Sequence, residues 1–280
     1  MRTKLLPDAI LDVVKRNRHA YQAVRRVRMA IGRVVPPRRF PDLPGRVHFN
    51  DFMLEDDSPA GRAKYRAEAM NVVDLVERAL AEDGRTWEDV ESWLDFGCGY
   101  GRVLRFLVGR VPPERVWASD VIREGVDFCA EEFGVHGLHS ADEIGALRLG
   151  RYDFVYAISV ATHVTEENST ALLRLLGESL RPGGLLLFTT HGQWSLDHIE
   201  FYGSRWVPQQ AEIARRVRER GIAYEPYGYY ADDNYGLTWH GERYVRETMA
   251  ELHGDDLDLV FFEPHGLDHH QDVFVYRRRR

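Results

Sequence analysis

Short apolar runs alternate with amphipathic stretches along the middle of this 280-residue chain. Apolar residues bunch at Trp93–Phe96, Arg115–Ser119, His136–His139, Tyr152–Ser159 and Leu185–Thr190, each short enough for a buried strand. Between them, Arg102–Val108, Arg123–Phe133 and Glu166–Leu180 carry helical spacing, and Leu180-Arg181-Pro182-Gly183-Gly184 stops the last helix. Strand and helix in alternation predict an α/β domain around a parallel sheet. Farther on, helices are expected at Pro208–Gly221 and Gly241–Leu252, then a hairpin of Leu257–Glu263 and Gln271–Tyr276. Upstream, Ile10, Val13, Val14, Tyr21, Val24, Val27, Ile31 and Val35 form one apolar helical stripe, which Pro36–Pro44 ends as a linker; a further helix is expected at Ala60–Leu80.

The first strand runs into Asp95-Phe96-Gly97-Cys98-Gly99-Tyr100-Gly101-Arg102. Gly97, Gly99 and Gly101 suit a tight strand-to-helix turn that lets backbone approach a ligand. A dinucleotide fingerprint needs its third glycine at the sixth position of the turn, where this chain has Arg102, and Asp95 would repel a pyrophosphate. Acid-x-Gly-x-Gly-x-Gly resembles instead the first motif of class I S-adenosylmethionine-dependent methyltransferases. The later order of strand, Ser159, His163, helix, Arg-Pro-Gly-Gly and strand resembles the same family over residues 90 to 192, and more weakly to the C-terminus.

That resemblance implies a seven-stranded, doubly wound Rossmann-like sheet with an antiparallel last strand and an insertion between the fifth and sixth strands. It implies S-adenosylmethionine as cofactor, held by Asp95, Gly97, Cys98, Gly99 and Gly101. Asp120, about 20 residues beyond the turn, matches the ribose-binding acid, with helix capping as the alternative. Val121 would face the adenine, and Asp142 would sit near its amino group unless it caps Glu143–Leu147. Ser159 belongs to the same strand-end crevice. Tyr65 or Arg62 could reach the cofactor carboxylate, although ordinary packing by Phe49, Phe52 and Met53 is the preferred reading of that segment.

Two histidines stand at strand ends on the active edge. His163 is the first candidate for a general base, and His191 the second, or an orienting residue for the acceptor. Either could instead be a structural imidazole. Glu166 or Glu167 could fix the tautomer of His163, or act as first-turn acids. Beyond Gly192, Tyr224, Tyr227, Tyr229, Tyr230, Tyr235 and Trp239 crowd together with Asp232, Asp233 and Asn234. Such a surface suits a sugar or a phenol, or simply packs a lid. His136, His139, His265, His269 and His270 lack metal-ligand spacing, and the chemistry is expected to be metal-independent.

Composition narrows the class. Residues 1–40 hold eleven Lys or Arg against Asp8 and Asp12, leaving the other 240 residues at −16 because the whole chain carries −7. An acidic core opposes nucleic acid binding. The basic stretch could meet an anionic membrane, dock on the catalytic domain or pair with a partner, and a homo-oligomer stays open. Two cysteines, no 18-residue apolar run and no signal-peptide pattern point to a cytoplasmic protein. The expected layout is a basic helical extension and linker over 1–45, and a methyltransferase domain over 46–280 whose 191–255 region sets acceptor specificity. The expected reaction is methyl transfer to a hydroxyl of a small molecule or saccharide, in glycan or natural-product biosynthesis. Alternatives are N- or C-methylation, a non-catalytic module binding S-adenosylmethionine or a nucleotide, and a nicotinamide reductase.

Overall fold

A computed structural model describes residues 8–202, 210–228 and 234–280. In chain order the helices are α1 (Asp8–Lys15), α2 (Arg18–Gly32), α3 (Pro59–Glu82), α4 (Leu104–Leu107), α5 (Arg123–Phe133), α6 (Glu166–Glu178), α7 (Gln193–Asp197), α8 (Gln210–Arg220) and α9 (Glu242–His253). The strands are β1 (Arg38–Arg39), β2 (Arg46–Val47), β3 (Trp93–Phe96), β4 (Val116–Asp120), β5 (His136–His139), β6 (Tyr152–Ala157), β7 (Leu180–Thr190), β8 (Ile222–Pro226), β9 (Gly236–His240), β10 (Leu257–Leu267) and β11 (Gln271–Arg278).

Seven strands form the main sheet in the order β10-β11-β7-β6-β3-β4-β5. β3 to β7 run parallel, β11 is antiparallel to β7, and β10 pairs antiparallel with β11. The chain moves outward from β3 to β5 and then returns to place β6 on the other side of β3. Such a switch point opens a crevice at the carboxyl ends of the strands. Alternate residues of each strand face opposite sides, so one core takes Trp93 and Phe154 and the other takes Leu94 and Val155. α3 covers the first face, and α6 with α9 covers the second.

The insertion after β7 has a core of its own. Leu196, Ile199, Ile213, Ala223, Leu237 and Trp239 are buried together beneath the β8–β9 hairpin. Each large side chain there contributes about 1.5–3 kcal/mol of burial. β9 lodges against the sheet edge. The Gly236 and Thr238 amides donate to the His163 and Thr162 carbonyls, and the His240 amide donates to that of His191. The alternation inside Tyr224–Trp239 was hidden by its glycines and tyrosines, and this hairpin is not among the elements expected from the sequence.

Several expectations need correction. The N-terminal stripe is broken in two, because Asn17 caps α2 by accepting the Ala20 amide. Ile10, Val13 and Val27 remain exposed, while Gly32 sits so close to Asn50 that a Cβ would lie 2.0 Å from its Nδ2. The 36–44 segment is no free linker: β1 pairs with β2, and Leu43 is buried. Arg105, 1% exposed, donates to the carbonyls of Pro44 and Arg46. Arg277 and Arg278 belong to β11, and Arg277 and Arg279 pair with Asp258. Phe52 is exposed rather than packed. Among the described residues, no helix is long and apolar enough to cross a membrane.

Candidate functional site

The glycine turn leaves β3 at the centre of the sheet. Gly97, Gly99 and Gly101 all have positive φ, at 92°, 54° and 78°. A Cβ on Gly97 would lie 2.4 Å from Val160 Cγ2, and one on Gly101 would lie 2.5 Å from Phe133 Cε2. Gly99 is different: a Cβ there meets nothing within 4 Å, so this position faces open space. Gly101→Ala is therefore expected to cost roughly 2–4 kcal/mol of folding stability, and Gly99→Ala only about 1 kcal/mol. Urea unfolding measures both, and equal losses would contradict the different surroundings of the two glycines.

Four amides of the turn are already spent. Those of Gly97 and Cys98 donate to the Ser119 carbonyl, that of Gly101 to Cys98, and that of Gly99 to Asp120 Oδ2 at 2.8 Å. An anion finds no ring of donors here, so a pyrophosphate is a poor fit and a cationic group a good one. Asp95 lies at the carboxyl end of β3 and is 4% exposed. Burial pushes its carboxyl up to about 8; the charge of Asp120 adds to the rise, and the Tyr156 hydroxyl and Arg102 oppose it. Arg102 itself is paired with Glu68. An ammonium group next to Asp95 would supply the missing counter-charge.

Asp120 ends β4. Its Oδ1 accepts the Ile122 amide at 2.8 Å and its Oδ2 the Gly99 amide, so each oxygen keeps a further acceptor site. Burial raises its pKa against those two bonds. Val121 beside it is 51% exposed, an apolar surface left uncovered at the crevice. The Ser140 amide donates to the Asp120 carbonyl, which ties the next loop to the same edge. In that loop the Asp142 side chain is exposed and caps no helix: the short turn at Ile144–Ala146 starts from Glu143 without a side-chain cap. The Cys98 thiol turns inward beside Cys129 and is held well above the usual thiol range, so only its backbone lies at the turn.

Ser159 has a strained φ of 59°, and its amide donates to Thr189 Oγ1 at 2.9 Å. Both hydroxyls bond the side-chain amide of Gln271, which links β6, β7 and β11 at their crevice ends. The sequence assigned Gln271 no role of its own, because its place beside Ser159 and Thr189 exists only once β11 pairs with β7.

The two histidines come together, 6.1 Å apart between ring centroids and nearly perpendicular at 86°. Their anchors are alternate carbonyls of β9. His163 Nδ1 donates to Gly236 O at 2.7 Å, and His191 Nδ1 donates to Thr238 O at 3.2 Å. Burial lowers the pKa of His163, and lowers that of His191 well below the usual range, with neighbouring His163, His270 and His240 adding to the second effect. Tyr235 stacks on His163 at 5.0 Å and Tyr202 packs on His191 at 4.7 Å. Burial raises the pKa of Tyr235 to about 12, with the charges of Asp120 and Tyr21 adding to the rise and Arg25 of α2 opposing it.

Other expected contacts go elsewhere. Arg62 is engaged by Asp42 and the Asp57 carbonyl, and buried Tyr65 donates to Asp51. Glu166 pairs with Arg220, and among the described residues it is the Gly236 carbonyl, not a carboxylate, that orients His163. His240, unremarked in the sequence, is buried against Ser169 with its pKa lowered by burial to about 3. Tyr229, Tyr230, Asp232 and Asp233 lie outside the described residues. Among the described residues, no group of three His, Cys, Asp or Glu could hold a metal ion.

Known proteins share this fold. A family model described as a methyltransferase domain matches residues 62–268, from α3 to β10. The chain belongs to the methyltransferase-domain family. Its class I sheet and its donor-poor, acid-bearing turn fit S-adenosylmethionine as cofactor. Two curated relatives are both malonyl-acyl-carrier-protein O-methyltransferases. The one from Acetivibrio thermocellus is 29% identical over 110 residues, 39% of this chain and 38% of its own length. The one from Prosthecochloris aestuarii is 26% identical over 135 residues, 47% and 48% respectively. The chain thus matches less than half the length of either. Among solved structures, an O-methyltransferase family protein from Burkholderia thailandensis aligns with a TM-score of 0.52 at 12% identity, over 82% of this chain and 58% of that one. An S-adenosylmethionine-dependent methyltransferase from Clostridium acetobutylicum aligns at 0.51 and 11% identity, over 77% and 92%.

Proposed function

We propose that this methyltransferase moves a methyl group to an oxygen of a small molecule or saccharide, with His163 as the base. The observation that carries the reading is the bond from His163 Nδ1 to the Gly236 carbonyl. A carbonyl only accepts, so the ring donates from Nδ1 and, when neutral, keeps a bare lone pair on Nε2. The curated relatives, named as O-methyltransferases, agree with oxygen as the acceptor atom.

When bound, S-adenosylmethionine supplies a sulfonium-activated methyl carbon whose departure needs no acid. The chain does the remainder. Asp95 would hold the ammonium end, with the backbone of Gly97, Cys98, Gly99 and Gly101 around it. Asp120 would take the ribose hydroxyls, Val121 would face the adenine, and Asp142 would serve its amino group. Ser159 and Thr189, locked by Gln271, shape the floor between donor and acceptor. His191 orients the acceptor, and the aromatic residues of the lid stack on it. Aligning the two reactants is worth about 7–11 kcal/mol of the barrier, and proton removal adds about 10²–10⁴-fold in rate.

Turnover should follow the imidazoles in pH. Their pKa values lie below 6.5, so the base is neutral and active at pH 7 and is lost as pH falls below the folded value. An acid limb below pH 6.5 in kcat/KM is the expected profile, measured by methyl incorporation from labelled cofactor. The whole reading is tested by calorimetric titration with S-adenosylhomocysteine followed by turnover on a panel of sugars and phenols. A protein that binds the cofactor product but methylates only amines would overturn the oxygen assignment.

A further inference from the structure

We infer that the acceptor is an uncharged molecule with two neighbouring hydrogen-bond donors, a vicinal diol or catechol, and not a carboxylate. This rests on the reading of the crevice as a methyl-transfer site and narrows what enters it. The argument starts from the second imidazole. His191 repeats the anchoring of His163 two residues along β9, with Nδ1 donating to the Thr238 carbonyl. Its neutral ring therefore also keeps a bare Nε2, across the ring from the strand. No described residue donates a hydrogen bond to the Nε2 of either ring. The site thus holds two neutral rings, each with a bare Nε2, whose centroids lie 6.1 Å apart.

Two acceptors ask for two donors. Hydroxyls on adjacent carbons, each donating over about 2.8 Å, span a gap of that size, whereas one hydroxyl serves only one ring. The first hydroxyl gives its proton to His163 as it is methylated, and the proton stays on Nε2 while the oxygen takes the methyl. The second hydroxyl donates to His191 and fixes which oxygen faces the donor. A carboxylate brings only lone pairs of its own and would meet two more. It would need a protonated ring, and burial disfavours charge on both. The surrounding wall is aromatic, with Tyr202, Tyr235 and Trp239 around the pair.

The test uses the full chain saturated with S-adenosylhomocysteine and small probes read by calorimetry or saturation-transfer NMR. Catechol is expected to bind at least about tenfold tighter than phenol or 2-methoxyphenol, the two-point contact being worth about one charge-free hydrogen bond. Acetate should not compete with catechol. His191→Phe should reduce catechol to the affinity of phenol, and His191→Gln, which returns an acceptor, should recover part of the difference. Equal binding of catechol and phenol, a preference that survives His191→Phe, or acetate binding tighter than catechol overturns the inference. Failure of S-adenosylhomocysteine to bind the native protein, measured before any probe is added, overturns the methyl-transfer reading instead.

Discussion

Replacing Asp95 by asparagine is expected to stabilise the cofactor-free protein at pH 8 while weakening S-adenosylhomocysteine at least about 100-fold, some 3 kcal/mol. Both effects come from one buried carboxyl. Its pKa in the folded chain is about 8, against an ordinary 3.8. Below the lower value both states carry the proton. Between the two, the folded state holds a proton that the unfolded state has released, so stability falls as pH rises, by up to about 1.4 kcal/mol per unit. Above about 8 the loss levels off. Asparagine removes this slope because it never ionises. It also removes the anion that an ammonium group needs, and an unpaired buried cation is costly. Urea unfolding from pH 5 to 8, with calorimetry on both proteins, checks the pair of effects. An Asp95→Asn protein that binds the cofactor product normally would remove Asp95 from the site.

His163→Ala is expected to lower kcat by about 10²–10⁴-fold at pH 7.5 while leaving the affinity for S-adenosylhomocysteine within about twofold. The ring holds no part of the glycine turn, and its single strong bond runs to the lid at Gly236. The residual activity should also lose its acid limb, which a merely structural defect would not erase. Stopped assays across pH 5.5–8.5 give both readouts. A loss under tenfold would favour an amine acceptor, which needs less help with its proton, and would take the catalytic role away from His163.

The main sheet was readable because its signals are local. Trp93–Phe96 and Tyr152–Ala157 are buried on both faces, so burial writes itself as an unbroken apolar run. The glycine turn was readable for a similar reason, since positive φ at Gly97 and Gly101 leaves little choice of residue. The β8–β9 hairpin was not. Its strands combine glycine, tyrosine and histidine, and they become strands by closing over the ends of β6 and β7. The partner of His163 was missed with it: neighbouring Glu166 looked suitable in sequence, but its carboxylate is drawn to Arg220.

By itself the sequence determined the parallel core, its acidic glycine turn and the second acid one strand later, because each is set by residues within reach of their own neighbours. Only the tertiary structure decided which histidines face each other and that β9 carbonyls select their tautomers. Those facts depend on contacts between segments distant in the chain, where a hydrogen bond is chosen by proximity and burial rather than by spacing along the backbone.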